Sequence, residues 1–426
     1  MKIIVNPSRS EWDTLIRREG VDYAGIRLRV EAILSAVENE GNPALRRLMW
    51  EIDGVQAPLE VSETEIDTAC SEVPGAVRDA ILCAKQNIEA FHRAQRPREV
   101  RVETTPGVVC IQRPVPIRSV GLYIPGGSAP LFSTVLMLAI PAALAGCRER
   151  ILCTPCGKDG RIAPEVLFTA RECGIKRIFR LGGSQAIAAM AFGTQTVPKV
   201  DKIFGPGNPY VTLAKQLVSG RNTAIDMPAG PSEVMVLADG SVPEAFVAAD
   251  LLSQAEHGKD STAVLVCTGS DYAERVIQEI ENQRRELSRI AQVSGALEHS
   301  FVLVFPSMDV AVDFAEAYAP EHLILSMEDA EGMAGQITAA GSVFIGPWSP
   351  ESAGDYASGT NHTLPTSGWA RSMSGVNMDS FMRKMTLQQL SRDGLAALSP
   401  TIVNMARAEG LSAHGRAVTI RLEDKG

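Results

Sequence analysis

The chain has 426 residues, more than one ordinary core needs, so two or three domains are expected. Hydrophobic residues make up 45% and charged residues 21%, the balance of a soluble globular protein. A formal net charge of −9 argues against a nucleic-acid partner, because phosphate binding needs clustered Lys and Arg, and the basic runs HRAQRPREVR and QRRELSR are short and mixed with acids.

The start, MKIIVNPSRSEWD, lacks the apolar core of a signal peptide. Residues 1–100 then read as helical, with apolar residues at helical spacing in 30–37 and 77–91. The longest apolar run, LFSTVLMLAIPAALAG, falls short of the roughly 20 residues a spanning helix needs and holds Pro141. It reads as a buried helix, with no membrane segment and a cytoplasmic location. From there short β-rich runs (150–153, 177–181, 202–204, 234–237, 263–267, 301–305, 323–326, 342–345) alternate with helix-length stretches (164–172, 210–218, 244–255, 272–287, 310–318). That alternation indicates α/β architecture with parallel sheets, in number enough for two domains. Residues 346–368 are rich in Gly, Ser, Thr and Pro and too long for an idle connector, so they read as a functional loop. The end reads as helices at 381–390 and 400–408 and a β-branched tail at 417–421. The eight cysteines are scattered, against a disulfide framework, and the CxxC pair Cys153 and Cys156 runs into a turn rather than opening a helix as a redox motif would.

Three glycine loops stand where a strand gives way to a helix: GLYIPGG (121–127), RLGGSQA (180–186) and GPGNPYV (205–211). None is GxGxxG or GxxxxGK[ST]. Each alone is equally a tight turn. Together, with Tyr123, Gln185 and Asn208 beside them, they favour a nucleotide-like ligand at the carboxyl ends of the strands.

Of six histidines, His92 and His299 sit among charged or polar residues and read as solvated. The other four stand in SQAEHGKD (His257), AYAPEHLIL (His322), SGTNHTLPT (His362) and AEGLSAHGRAV (His414). Gln254 and His257 share a helix face at i, i+3, and Asp355 and His414 could complete a four-ligand zinc-type site. An ordinary polar helix C-terminus explains the pair as well. Glu321 and His322 reach one cleft only if they lie at a strand's mouth, where they suit general acid/base work; a polar strand start is the other reading.

In this combination the chain resembles the histidinol dehydrogenase family, through GLYIPGG, VPKVDKIFGPGNPYV, DMPAGPSEV, LLSQAEHG, AYAPEHL, SAGDYASGTNHTLPT and EGLSAHGRAV, in that order from about residue 113 onward. The resemblance implies two incomplete Rossmann-like α/β domains with small helical C-terminal segments. It implies zinc held by Gln254, His257, Asp355 and His414, and Glu321 and His322 as the acid/base pair. Ser232, His362 and Glu409 would join them around L-histidinol, and Tyr123, Gln185 and Asn208 would contact NAD. It also implies two successive hydride transfers, alcohol to aldehyde to carboxylate, in an intertwined homodimer whose C-terminal segment completes the partner's site. The domains expected are 1–20 with 123–232 for NAD, 21–122 with 233–375 for zinc and catalysis, a small helical domain at 376–404 and the tail at 405–426. Three alternatives are a paralogue oxidising another polar alcohol, such as a sulfonated diol, which would be expected to lose Glu409 or His362, an NAD-independent zinc hydrolase using Glu321, against which the glycine loops argue, and a non-catalytic binding protein, against which the complete residue set argues.

Overall fold

The computed structural model describes residues 1–18, 23–126, 130–228 and 230–423; Gly127, the end of the first glycine loop, lies outside them. In chain order the strands are β1 (Lys2–Val5), β2 (Val100–Thr105), β3 (Val108–Pro116), β4 (Ser119–Tyr123), β5 (Glu149–Thr154), β6 (Arg177–Arg180) and β7 (Lys202–Phe204). They continue with β8 (Ala224–Ile225), β9 (Glu233–Ala238), β10 (Thr262–Cys267), β11 (Phe301–Val304), β12 (His322–Ser326), β13 (Ser342–Ile345) and β14 (Met382–Leu390).

They form three sheets. The six-stranded sheet has the order β1-β11-β10-β9-β12-β13 and the five-stranded sheet β6-β5-β4-β7-β8, both parallel throughout. The expected α/β class with two parallel sheets is what the chain adopts. Strand β9 shows why its sequence is an unbroken apolar run. Val234, Val236 and Ala238 join a core with Leu251, Leu252 and Val276 on one face. Met235 and Leu237 join Phe305, Phe314 and Tyr318 on the other. Side chains alternate across a strand, and a sheet covered on both faces wants apolar residues at every position.

The N-terminal region departs from expectation. β1 pairs with β11, Lys2 opposite Phe301, so the first residues belong to the six-stranded sheet. The helix Tyr23–Glu40 instead packs Val30, Ile33 and Val37 with Tyr123, Ile151 and Met190 of the five-stranded layer. Against the expected grouping of 1–20 with 123–232 and 21–122 with 233–375, β1 thus goes with the six-stranded sheet and the helix Tyr23–Glu40 with the five-stranded one. A four-residue KIIV run carries no information about which open sheet edge receives it. The helix Phe132–Ala145 is buried as expected, with Pro141 inside it.

Residues Met1–Gln95 and Ile117–Ser380 form one compact unit, and Arg96–Pro116 with the chain from Phe381 onward form a second. The second unit is not wholly helical. Residues 381–390, expected as helix, form β14, antiparallel to β3 from Met382 opposite Pro116 to Leu390 opposite Val108. The helices Arg392–Ala408 and Ser412–Glu423 pack on each other, so the expected β-branched tail at 417–421 is helical. All eight cysteines are free. No helix among the described residues is long and apolar enough to cross a membrane.

Candidate active site

A cleft of about 940 Å³ opens in the first unit. One wall comes from loops at the carboxyl ends of the five-stranded sheet: Pro125, Gly205, Asn208 and Asp226. The other comes from the amino ends of the six-stranded sheet: Ser232 before β9, Thr262 at the start of β10, Phe301 of β11 and His322 of β12. The first wall follows the rule for α/β ligand sites. The second wall turns the opposite end of its sheet to the same space.

Glu321 and His322 stand at the mouth of β12, 4% and 3% exposed, and both line the cleft. The Glu321 Oε2 accepts from the Glu233 N–H at 2.9 Å. The His322 Nδ1 lies 3.2 Å from the Glu233 carbonyl. A carbonyl only accepts, so Nδ1 carries the proton and Nε2 keeps its lone pair. Nε2 is buried with no hydrogen-bond partner among the described residues and faces the Asp355 Oδ1 at 3.9 Å. Burial lowers the His322 pKa to about 3, and His257 and His362 push the same way, so the ring is neutral. Burial raises Glu321 well above the ordinary carboxylate range, with the Glu233 and Asp355 charges adding to it against the Glu233 N–H bond.

Gln254 and His257 come from the end of the helix Glu244–Ala255, where the His257 N–H bonds the Gln254 carbonyl. Gln254 is fully buried, and neither atom of its amide has a hydrogen-bond partner among the described residues. The His257 Nε2 lies 3.7 Å from the Asp355 Oδ2. His257, Glu351 and Asp355 each offer a ligand atom, all within 4.8 Å of one another. Glu351 was not foreseen. The short helix Glu351–Tyr356 sets it at i, i+4 from Asp355, a spacing legible in PESAGDY. Glu351 is 1% exposed, neither of its oxygens has a hydrogen-bond partner among the described residues, and its Oε1 is 3.5 Å from the His322 Nδ1. Burial raises the pKa of both Glu351 and Asp355. A buried amide with no partner among the described residues, and buried acids crowded on a histidine, are each costly unless a cation draws on them. The nitrogen-and-oxygen donor set fits a borderline divalent metal.

His362 hangs over the same space. Its Nδ1 meets the Asp355 carbonyl at 2.9 Å and its Nε2 the Thr134 hydroxyl at 3.1 Å. The neighbouring Asn361 explains its placement: its amide nitrogen bonds the Met137 carbonyl and touches the His92 Nε2 at 3.3 Å. His92, expected to be solvated, is fully buried, with Nδ1 on the Ile88 carbonyl at 2.8 Å. It anchors the loop that carries His362. His299 is exposed, as expected, at the cleft rim. Ser232 lines the cleft half-buried.

Glu409 and His414 are carried by the second unit, one at the end of the helix Arg392–Ala408 and one in Ser412–Glu423. Both are exposed, and neither side chain has a hydrogen bond or ion pair among the described residues.

Of the three residues expected to contact NAD, Asn208 lines the cleft, and its Oδ1 caps the helix Pro209–Ser219 through the Val211 N–H. Tyr123 and Gln185 are buried outside the lining. The Tyr123 hydroxyl accepts from the Gly183 N–H at 3.1 Å, and the Gln185 amide reaches Asp53 at 3.3 Å. A buried ion pair missed in the sequence holds the third glycine loop. Lys215 and Asp226, with side chains 3% and 2% exposed, clasp the Gly205 peptide: Nζ donates to its carbonyl and Oδ2 accepts from its N–H, both at 2.8 Å. Gly205 has φ +124, and a Cβ there would come within 2.0 Å of the Tyr123 carbonyl, so only glycine fits.

The sequence model of one family, histidinol dehydrogenase, matches residues 16–422. The chain belongs to the histidinol dehydrogenase family. It is therefore an oxidoreductase. A histidinol dehydrogenase of Bacteroides fragilis is 52% identical, covering 100% of this chain and 99% of that protein. One from Vibrio cholerae is 49% identical, over 98% of this chain and 96% of its own. The crystal structure of histidinol dehydrogenase from Elizabethkingia anophelis superimposes with a TM-score of 0.97 at 48% identity, covering 99% of this chain and 98% of that one.

Proposed function

We propose that the chain oxidises L-histidinol through histidinaldehyde to L-histidine in two NAD-linked steps, with one zinc ion held by Gln254, His257, Asp355 and His414. The observation that carries this reading is a neutral imidazole whose Nε2 has no hydrogen-bond partner among the described residues, with a carboxylate beside it and a His–carboxylate pair, His257 and Asp355, all lining one cleft. Zinc, when bound, supplies orientation and polarisation of the substrate oxygen, and NAD accepts the hydrides.

The chain's own groups do the rest. The His322 Nε2 takes the alcohol proton, while its Nδ1–H stays on the Glu233 carbonyl and fixes the tautomer. Glu321, made more basic by burial, takes a proton from the water that hydrates the aldehyde before the second oxidation. Ser232 and His362 hold the substrate, and Glu409 suits its ammonium group. Keeping the aldehyde bound between steps explains why so many groups grip one small molecule. Asn208, Tyr123 and Gln185 serve NAD. Glu409 and His414, exposed and without side-chain partners among the described residues, suit a homodimer in which each tail completes the other subunit's site. The same reading puts the enzyme in the cytoplasm.

Oxidation of a sulfonated diol is the less favoured reading, since likeness at about half identity over the whole chain is to histidinol dehydrogenases. Incubation with NAD and either L-histidinol or 2,3-dihydroxypropane-1-sulfonate separates the two. L-Histidine should form from the first; turnover of the sulfonate alone would overturn the proposal.

A further inference from the structure

Glu233 opens β9 and does not line the cleft, yet both residues assigned to the chemistry lean on it. Its peptide N–H holds the Glu321 carboxylate and its carbonyl holds the His322 ring. β12 begins opposite Val234, one residue beyond Glu233, so this peptide stands at the mouth of the ladder beside both side chains. The Glu233 side chain is itself clamped. Arg18 donates Nε to Oε2 at 2.9 Å and Nη2 to Oε1 at 2.8 Å, the two-pronged match of guanidinium to carboxylate. The Ser367 N–H adds a bond to Oε1 at 3.2 Å and the Tyr318 hydroxyl one to Oε2 at 3.3 Å. The Arg18 guanidinium sits over the Tyr318 ring, 3.6 Å from its centre, and ties Nη1 to the Ile16 carbonyl. Its cation also offsets a carboxylate that stands beside Glu321.

We propose that Glu233, locked by Arg18, is the positioning residue of this site, setting the orientation of Glu321 and the tautomer of His322 through its peptide group. The pairing of β1 with β11 gains a purpose: it brings the N-terminal segment to this end of the sheet, and with it Arg18, which lines the cleft while it holds Glu233. The inference rests on the reading that Glu321 and His322 carry the chemistry.

The test uses Glu233→Gln, Arg18→Ala and the double variant in the full-length enzyme. Each single change should lower kcat on the order of 100-fold, the scale of a 1 Å misplacement, with KM for histidinol and NAD within about twofold of wild type. The double variant should be no slower than the slower single one, because both act through one clamp. Methylguanidinium should restore Arg18→Ala, and this variant decides the matter if Glu233→Gln does not fold. Imidazole ¹⁵N spectra supply a readout apart from turnover: His322 should hold the Nδ1–H tautomer in wild type and a mixture in the variants. An unchanged kcat and tautomer, or a raised KM for NAD with kcat intact, would overturn the inference. Wild-type protein that makes no NADH would instead defeat the proposed function, leaving the spectra to judge the clamp.

Discussion

Replacing Lys215 by Met should destabilise the protein more than its small change in volume suggests. The residue removed is the cation of a pair whose side chains are 3% and 2% exposed. Removing one partner of a buried pair strands the other charge, at a cost of about 3–5 kcal/mol. Asp226 keeps two donors, the Gly205 and Met227 N–H groups at 2.8 and 2.7 Å, so the low end, about 3 kcal/mol, is expected. The Gly205 carbonyl loses its Nζ donor as well, and the loop carrying Asn208 loosens. Urea unfolding measures the stability, and KM for NAD should rise in parallel. The double variant Lys215→Met with Asp226→Asn, which leaves no stranded charge, should recover most of the loss. If the single variant is as stable as the double, the reasoning about the buried pair is wrong.

Three further predictions concern charge, metal and assembly. Burial raises the Asp250 pKa from 3.8 to about 7, so the folded protein binds a proton the unfolded chain has lost, and Asp250 costs stability increasingly as pH rises through that window. Asp250→Asn should therefore raise the melting temperature at pH 8 and have little effect at pH 4; an equal effect at both would refute the assignment. Chelation should abolish activity and zinc should restore it, and full activity in metal-free protein would reject the metal centre. Glu321→Gln and His414→Asn, each inactive, should regain partial activity when mixed; no recovery despite verified subunit exchange would mean that each chain builds its own site.

The parallel-sheet architecture was legible because both faces of the sheets are covered, which writes unbroken apolar runs such as EVMVLA into the sequence. Gln254 with His257, and Glu321 with His322, were legible as pairs because each lies within one helix end or strand mouth. Partners remote in sequence were not legible. The run FMRKMTLQQL suits a helix by spacing, and a nine-residue ladder with β3, far upstream, makes it a strand. His92 looks solvated among its neighbours in sequence, but Asn361, far downstream, completes its buried hydrogen bonding. Arg18 and Glu233, or Lys215 and Asp226, reveal their roles only once the fold sets them face to face.

The central claim is that one site carries an alcohol through to a carboxylate. The direct measurement is NADH formed per L-histidinol consumed, with L-histidine followed as product. The account predicts two NADH for each histidinol and no free aldehyde. A ratio of one, with aldehyde released, would reduce the protein to a simple alcohol dehydrogenase, and no NADH at all would contradict the account outright.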